Sequence, residues 1–295
     1  MKGILLAGGS GTRLYPLTRV TSKQLLPIYD KPMIFYPLST LMLAGIQDVL
    51  IISTPKDQGR FRSLLGDGSQ FGMRFSYAQQ ARPAGIAEAF LIAEDYLAGE
   101  PAALILGDNI FYGGYFSRNL SQAVENAAQG FATIFAYPVP DPSRFGIVEF
   151  DADLNVLSLE EKPALPKSNY CVTGLYFYDG RVCDFARQVR PSPRGELEIT
   201  DLNKLYLAAD ALKVQLFGRG FAWMDTGTMD SLLDASVFVQ SIQKHQGLVI
   251  SAPEEIAFRK GWIDRVALLA AADAYGASPY GAYLKRVAEG EVLYH

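Results

Sequence analysis

Histidine and cysteine are scarce in this sequence of 295 residues, which has two histidines, His245 and His295, and two cysteines, Cys171 and Cys183. So few histidines disfavour a histidine-based catalytic triad and a zinc site. Cys171 lies in a strand-like apolar run, and we predict buried free thiols rather than a disulfide or a metal pair. Any chemistry must therefore depend on carboxylates, cations and a metal ion.

Long apolar runs and an excess of basic residues are also missing. No apolar stretch approaches the roughly 20 residues that cross a bilayer, and the N-terminus leads into a strand without a signal-peptide pattern. We therefore expect a cytoplasmic protein with no membrane partner. The formal net charge of −4 argues against a nucleic-acid groove, which needs a broad basic face. A small polyanionic ligand remains compatible, because charges are screened over about 8 Å at physiological salt.

Alternating apolar and amphipathic segments indicate an α/β fold. Such alternation predicts a Rossmann-like, mostly parallel sheet flanked by helices on both faces. Ligands of these sheets lie at the carboxyl ends of the strands, and Gly8 and Asp108 each follow a strand-like run. The strand-like runs are 4–7, 48–53, 103–106 and 131–136, and the clearest helical patterns are 33–44 and 86–97.

The pattern changes near residue 141 to short strands separated by turn signals, and this half should hold a second substrate. We predict a core over 1–245, divided into halves at 1–140 and 141–245, and a helical C-terminal subdomain over 246–295. The segment Asp151-Ala152-Asp153 could bind a metal ion, but its place between two strand-like runs favours a solvated hairpin turn.

Three glycines, Gly8, Gly9 and Gly11, follow the first strand-like run. Glycines leave the backbone N–H groups of a bend unshielded, as a phosphate cradle requires. Arg13 adds a forked guanidinium suited to phosphate oxygens, and Lys23 adds a mobile cation. These residues favour a site for several phosphates over a glycine-rich turn with a surface arginine.

Two better-known phosphate loops do not match this segment. A Walker A loop needs a lysine directly after its last glycine, and none follows Gly11. A dinucleotide-binding fingerprint needs a third glycine where this chain has Leu14, and Pro16 follows where the helix should continue. Both interpretations are therefore excluded.

The segment instead resembles the signature of the sugar-phosphate nucleotidyltransferase family, which makes nucleoside-diphosphate sugars. It reads Gly9-Ser10-Gly11-Thr12-Arg13-Leu14 and then Lys23-Gln24-Leu25-Leu26-Pro27. Further matching motifs lie at 106–109, 145–149, 160–163, 195–201 and 223–227, so the resemblance covers almost the whole chain. The form of segment 23–32 is similar to that of family members that use dTTP and glucose 1-phosphate.

The resemblance assigns the nucleotide mainly to the first half of the chain. Gln80 and Gly85 would hold the base, since a glutamine amide offers a donor and an acceptor to the O4 and N3–H of thymine or uracil. Asp108 and Asp225, which alone could equally be turn or cap residues, would bind Mg²⁺ together with phosphates. The implied nucleotide-binding set is Leu6, Gly8, Gly9, Gly11, Thr12, Arg13, Lys23, Gln24, Gln80, Gly85 and Asp108.

The second half would hold the sugar phosphate. Lys162 alone suggests a surface charge in a loop, but the resemblance assigns Lys162 to the sugar phosphate and Glu161 to sugar hydroxyls. The remaining implied sugar-phosphate residues are Asn109, Gly146, Val172, Tyr176 and Arg194. The implied catalytic set is Arg13, Lys23, Asp108, Lys162 and Asp225.

The resulting hypothesis is Mg²⁺-dependent transfer of a thymidylyl group from dTTP to α-D-glucose 1-phosphate, with release of pyrophosphate. The attacking phosphate is already ionised, so no general base is needed. UTP or another triphosphate is an alternative, because one methyl group discriminates by only about 1–3 kcal/mol. A non-catalytic nucleotide-sugar sensor is an alternative of another class. The resemblance also implies a homotetramer with a second, regulatory nucleotide site between subunits.

Overall fold

The computed structural model describes residues 1–9 and 11–292, so Ser10 and His295 lie outside the described residues. The strands in the described chain are β1 (Lys2–Ala7), β2 (Pro27–Ile28), β3 (Lys31–Pro32), β4 (Asp48–Ser53), β5 (Arg74–Gln79), β6 (Ala102–Leu106), β7 (Asn109–Tyr112), β8 (Ala132–Pro138), β9 (Gly146–Phe150), β10 (Val156–Glu161), β11 (Tyr170–Tyr178), β12 (Leu212–Leu216) and β13 (Ala222–Asp225). The α-helices are α1 (Phe35–Leu43), α2 (Gln58–Leu65), α3 (Glu88–Ile92), α4 (Glu94–Leu97), α5 (Phe116–Ala128), α6 (Val182–Ala186), α7 (Ile199–Ala208), α8 (Met229–Gln246), α9 (Pro253–Arg259), α10 (Arg265–Ala274) and α11 (Pro279–Ala288).

The main sheet is mostly parallel, as predicted. Its central strands lie in the order β12, β8, β11, β6, β1, β4 and β5. The pairings are parallel except those of β11, which runs antiparallel to β6 and to β8. The antiparallel pair β9 and β10 joins β11 at Cys171. Because β11 lies between β6 and β8, the two predicted halves of the core share one sheet.

Helices cover both faces of this sheet because its central strands are apolar on both sides. In β1, Ile4 and Leu6 pack in one layer with α3, α6 and α7. Leu5 and Ala7 pack in the other layer with α1, α2 and α5. Successive strand residues point to opposite faces, and all four of these side chains are buried. A strand that is buried on both faces is typical of parallel sheets in α/β proteins.

Two helical patterns differ from the observed helices at their ends. The first helix begins at Phe35 rather than Met33, and the N–H of Met33 donates to the Leu26 carbonyl oxygen at 2.9 Å. The pattern over 86–97 forms two short helices, α3 and α4, and ends at Ala98, which has a φ of +50°. A tertiary hydrogen bond thus precedes the first helix, and a left-handed residue ends the second pattern.

The C-terminal segment forms three helices, as predicted, with an apolar cluster of their own. Leu268 of α10 and Leu284 of α11 are fully buried in this cluster. Ile256 of α9 packs into the layer that contains α1. The boundaries at 140 and 245 stay predictions. Along the described chain, no helix combines the length and the apolar character that crossing a membrane requires.

Two local predictions are also confirmed, except that one of the two thiols predicted to be buried is not fully so. Cys171 and Cys183 are free thiols, and Cys171 is buried while Cys183 is half-buried. Asp151 accepts hydrogen bonds from the backbone N–H groups of Asp153 and Asn155 at 3.0 Å and 2.8 Å. The segment between β9 and β10 is therefore a hairpin turn stabilised by Asp151.

Candidate active site

The carboxyl ends of β1 and β6 open onto a cavity of about 380 Å³. The fold prediction placed Gly8 and Asp108 on this edge, and both lie in the cavity wall. Residues of β10 and β11 from the second half also line this cavity. The cavity is lined by all but two of the implied site residues, namely Leu6, Gly8, Gly9, Arg13, Lys23, Gln24, Gln80, Gly85, Asp108, Asn109, Gly146, Glu161, Lys162, Val172, Tyr176, Arg194 and Asp225.

The glycine-rich segment after β1 is held from behind by side chains. Gln24 is 2% exposed and donates from Nε2 to the Gly8 carbonyl oxygen at 3.1 Å. Gly11 has a φ of +59°, and its carbonyl oxygen accepts a hydrogen bond from Thr18 Oγ1 at 2.7 Å. Gly11 and Thr12 are not among the residues that line the cavity. Their predicted nucleotide contact is therefore not supported by their position, because this part of the loop is turned toward Thr18.

Asp108, directly after β6, is buried and engaged by its neighbours. Its Oδ2 contacts Lys23 Nζ, and its Oδ1 accepts a hydrogen bond from Asn109 Nδ2 at 3.0 Å. Thr226 Oγ1 donates to the Asp108 carbonyl oxygen at 2.8 Å. Burial by itself raises the pKa of Asp108, but the charge and hydrogen bond of Lys23 and the hydrogen bond from Asn109 outweigh it, and the pKa is lowered. Asp108 is therefore a fixed, ionised carboxylate.

Asp225 is the second carboxylate in the cavity and ends β13, which pairs with β7. Burial raises the pKa of Asp225, and the charge of Asp108 raises it further, against the opposing charges of Lys23 and Arg13. Arg13 lies close by, since a Cβ built on Gly227 would be 3.0 Å from Arg13 Nη2 and 3.2 Å from Asp225 Oδ1. The two carboxylates repel each other, and a cation between them would relieve that repulsion.

The donor set in the cavity fits a divalent cation of the magnesium type. Mg²⁺ usually takes one or two carboxylates and completes its octahedron with substrate phosphates and water. Asp108 and Asp225 supply two such carboxylates. Within 1–9 and 11–292, no group of three or more His, Cys, Asp and Glu side chains could hold a metal ion by itself. A metal ion in the cavity would therefore depend on phosphate oxygens for part of its shell.

Asn109 has a positioning role that sequence analysis missed. Its side chain is 2% exposed, and its Oδ1 accepts hydrogen bonds from Trp223 Nε1 at 2.7 Å and from the Gly174 N–H at 3.0 Å. Both partners only donate, so they fix the amide with its nitrogen toward Asp108. Trp223 and Gly174 thereby orient Asp108 through Asn109. Trp223 lies in the recognised motif 223–227, which was the available signal for it.

Gln80 follows β5 and is anchored by its own amide nitrogen. Its Nε2 donates to the Gly85 carbonyl oxygen at 3.0 Å and to Glu88 Oε2 at 2.7 Å. The expectation that Gln80 offers both a donor and an acceptor to the base is therefore wrong, because both amide hydrogens are used within the protein. Its Oε1 remains as an acceptor. The N–H of Gly85 has no acceptor among the described residues and lies in the same wall.

The sugar side of the cavity contains a compensated ion network. Glu161 accepts hydrogen bonds from Thr200 Oγ1 at 2.6 Å and from Arg194 Nη2 at 3.2 Å. Arg194 also donates to Glu198 Oε1 at 2.8 Å. Burial lowers the pKa of Arg194, but the hydrogen bond and charge of Glu198, with the charges of Glu196 and Glu161, outweigh it and raise the pKa. The charge of Arg194 is therefore already balanced by carboxylates.

Lys162 follows Glu161 in a strained backbone conformation. Its φ of +44° lies in the left-handed region, and its N–H donates to the Phe145 carbonyl oxygen at 3.0 Å. Such strain costs of the order of 1–3 kcal/mol and clusters at functional sites. The Lys162 side chain is 46% exposed, with Nζ 3.6 Å from Glu161 Oε1. Its charge is therefore only loosely paired and accessible to a ligand.

Comparison with known proteins relates this chain to nucleotidyl transferases. A family model described as nucleotidyl transferase matches residues 2–242. A glucose-1-phosphate thymidylyltransferase of Neisseria gonorrhoeae is 57% identical over 284 residues, which are 96% of this chain and 98% of that protein. Another, of Mycolicibacterium smegmatis, is 55% identical over 291 residues, which are 99% of this chain and 100% of that protein.

Solved structures agree with this relationship. One, of a Bacillus anthracis protein described as a glucose-1-phosphate thymidylyltransferase in complex with a sucrose, is 40% identical, with a TM-score of 0.74 over 81% of this chain and 94% of that chain. A UDP-glucose pyrophosphorylase complexed with UDP-glucose shares the fold, with a TM-score of 0.68 at 24% identity over 82% of this chain and 98% of that chain. The chain thus belongs to the nucleotidyl transferase family, together with the glucose-1-phosphate thymidylyltransferases to which it is similar over almost its whole length.

Proposed function

We propose that this protein transfers a thymidylyl group from dTTP to α-D-glucose 1-phosphate, giving dTDP-glucose and pyrophosphate. The observation that carries the proposal is one cavity that brings cationic and acidic side chains from both halves of the chain together. Lys23, Arg13, Asp108, Asp225 and Lys162 all line it. The activity named for the relatives from Neisseria and Mycolicibacterium requires this combination, because two polyanions must be held side by side.

The reaction is an in-line displacement at the α-phosphorus of the triphosphate. An oxygen of the sugar phosphate forms a new bond to phosphorus while the bond to the β-phosphate bridging oxygen breaks, and pyrophosphate leaves. The obstacle is charge repulsion, so positioning and electrostatic stabilisation dominate the rate enhancement. Arg13 and Lys23 offer cations to the triphosphate, and Lys162 offers one to the attacking phosphate. The attacking oxygen is already ionised, so no residue has to remove a proton.

A bound Mg²⁺ would be held by Asp108 and Asp225. Members of this family generally use a divalent metal ion. When bound, the ion supplies positive charge that neutralises phosphate oxygens and the leaving group. The chain's own contribution precedes substrate binding: Lys23 and Asn109 keep Asp108 ionised, and Asn109 also orients its carboxylate while Thr226 holds its backbone carbonyl.

The base would lie between Gln80 and Gly85. The Oε1 of Gln80 can accept a hydrogen bond from the N3–H of thymine, and the N–H of Gly85 can donate to its O4. Gly85 has a φ of +105°, and a Cβ there would stand 2.3 Å from the Leu197 carbonyl oxygen. No other residue fits without moving that backbone, so the position of the Gly85 N–H is fixed by packing.

Measurement of pyrophosphate release with a panel of triphosphates and sugar 1-phosphates tests the proposal. With Mg²⁺ and glucose 1-phosphate, dTTP should give the highest kcat/KM. Appreciable use of UTP is expected, since the two bases share the N3–H and O4 groups. A clear preference for UTP, ATP or CTP would contradict the thymidylyl assignment. Release of no pyrophosphate from any pair would leave the non-catalytic sensor as the better hypothesis.

We also propose that the protein assembles as a homotetramer with a second nucleotide site between subunits. Leu233 and Val237, one turn apart on α8, are 63% and 56% exposed, and such apolar exposure favours burial in a subunit contact. Light scattering on the purified protein should give four times the mass of one chain. A monomer at micromolar concentration would contradict this assembly.

A further inference from the structure

Gln80 presents one fixed edge of its amide to the cavity. A Cβ built on Gly8 would lie 3.2 Å from Gln80 Oε1, so the oxygen is on the side of the glycine-rich segment. The amide nitrogen points the other way, toward the Gly85 carbonyl oxygen and Glu88 Oε2. Gln80 is 7% exposed and lines the cavity. The edge that a ligand meets is therefore a hydrogen-bond acceptor.

Glu88 is the group that excludes the reversed amide. It is the first residue of α3 and is not among the residues that line the cavity. The carboxylate oxygens of Glu88 accept hydrogen bonds, as Oε2 does here from Gln80 Nε2. The carbonyl of Gly85 also only accepts. Turning the Gln80 amide over would bring Oε1 against two acceptors, so the nitrogen has to stay where it is.

This orientation matters because the pyrimidine bases differ in the hydrogen-bonding groups at ring positions 3 and 4. Thymine and uracil carry N3–H, a donor, beside O4, an acceptor. Cytosine carries N3 as an acceptor beside an N4 amino donor. The fixed Oε1 of Gln80 and the N–H of Gly85 match the first pattern and oppose both groups of the second. A glutamine side chain free to turn over would present its NH₂ group to N3 of cytosine.

We infer that Glu88 is a positioning residue that determines base selection, by locking Gln80 with its oxygen toward the base. The inference rests on the proposed function, because it takes the base to lie against Gln80. Glu88 acts only through Gln80 and therefore touches neither substrate. Its carboxylate chemistry, rather than its size, is what the selection requires.

Glu88→Gln tests this inference, because glutamine has the same size but can also donate. The Gln80 oxygen could then turn toward the new amide. We expect kcat/KM for dTTP relative to dCTP to fall about 10- to 100-fold, while KM for glucose 1-phosphate stays within about twofold. A merely structural role would lower activity with both triphosphates in the same proportion.

Glu94→Gln is the matched control. Glu94 is the first residue of α4, is 41% exposed and pairs with Arg187, so it has no contact with Gln80. Its dTTP to dCTP ratio should equal that of the wild type. A folded Glu88→Gln protein with an unchanged ratio would overturn the inference. If that variant does not fold, Glu88→Ala takes its place. A smaller fall is expected there, because alanine offers no donor toward which the Gln80 oxygen could turn, and an unchanged ratio would be equally decisive.

Equilibrium binding separates this inference from the proposed function. Calorimetric titration of the wild type and of Glu88→Gln with dTTP and with dCTP reports base selection without turnover. Wild-type selectivity for dTTP that Glu88→Gln loses would support the role of Glu88 even if no pyrophosphate were released. Conversely, full activity of the wild type, with the same selectivity for dTTP over dCTP in the wild type and in Glu88→Gln, would refute the role of Glu88. The proposed function would then still stand.

Discussion

Replacement of Asn109 by alanine should both destabilise the protein and slow its reaction. The truncated side chain would leave two donors without their acceptor, Trp223 Nε1 and the N–H of Gly174, which now donate at 2.7 Å and 3.0 Å. A donor left unsatisfied in the interior costs about 1–3 kcal/mol, so the loss should be about 2–6 kcal/mol. Against a total stability of about 5–15 kcal/mol, this is a large fraction.

The stability part is measured by urea unfolding and by the melting temperature. Since 1 kcal/mol shifts the midpoint by about 2–4 °C in chains of this size class, the midpoint should fall by at least about 4 °C. Asn119→Ala is the matched control, because Asn119 is half-buried in α5 and donates one hydrogen bond to Gln215 at 2.9 Å, far from the cavity. Its loss should stay near 1 kcal/mol.

Kinetic measurements on Asn109→Ala distinguish a positioning role of Asn109 from direct contact with the sugar phosphate. Without Asn109, Asp108 loses the 3.0 Å hydrogen bond at Oδ1 and keeps Lys23 at Oδ2. Turnover should fall about 10- to 100-fold, with KM for glucose 1-phosphate little changed. A variant with wild-type stability and only a higher KM for the sugar phosphate would refute the positioning role and restore the sugar contact that the family resemblance implies.

Three further predictions follow from the same geometry. Asp225→Asn should lower kcat at least about 100-fold by removing a metal ligand, with a melting temperature within about 2 °C; near-native activity would remove Asp225 from the metal site. Lys162→Ala should raise KM for glucose 1-phosphate and leave KM for dTTP within about twofold. A higher KM for dTTP with an unchanged KM for glucose 1-phosphate would show that Lys162 does not bind the sugar phosphate. Burial raises the pKa of Cys171 to about 12, so iodoacetamide at pH 8 should alkylate Cys171 only after unfolding, as mass spectrometry can check.

The parts of the site that depend on local pattern and topology could be predicted from the sequence. Gly8 and Asp108 each follow an apolar strand, and parallel strands end on one edge, so their proximity follows from the α/β pattern alone. The motif around Asp225 came from family resemblance rather than from pattern. The distance of Asp225 from Asp108 depends on the pairing of β13 with β7. The register of that pairing cannot be predicted from the spacing of residues in the sequence.

The parts that could not be predicted depend on contacts between distant segments. Asn109 accepts from Trp223, more than a hundred residues away, and no local feature of either segment indicates that bond. The orientation of Gln80 depends on Glu88 and on the Gly85 carbonyl. A glutamine amide can donate or accept, and only these contacts show that its oxygen, the acceptor, faces the cavity. Lys162 likewise has a left-handed backbone although it is not a glycine, so its residue type does not indicate that conformation.

Two cations of the cavity, Lys23 and Arg194, are paired with carboxylates before any substrate arrives, and this pairing affects how the two phosphates bind. Lys23 contacts Asp108, and Arg194 contacts Glu198 and Glu161, so each of these carboxylates holds a cation where a phosphate oxygen could later compete for it. A cation held in this way needs little reorganisation on binding, which is the condition for effective electrostatic catalysis. Lys162 differs from these two cations, with 46% exposure and its Nζ 3.6 Å from Glu161. Its exposed ammonium group suits the substrate that attacks, because the sugar phosphate must move toward the α-phosphorus during the reaction.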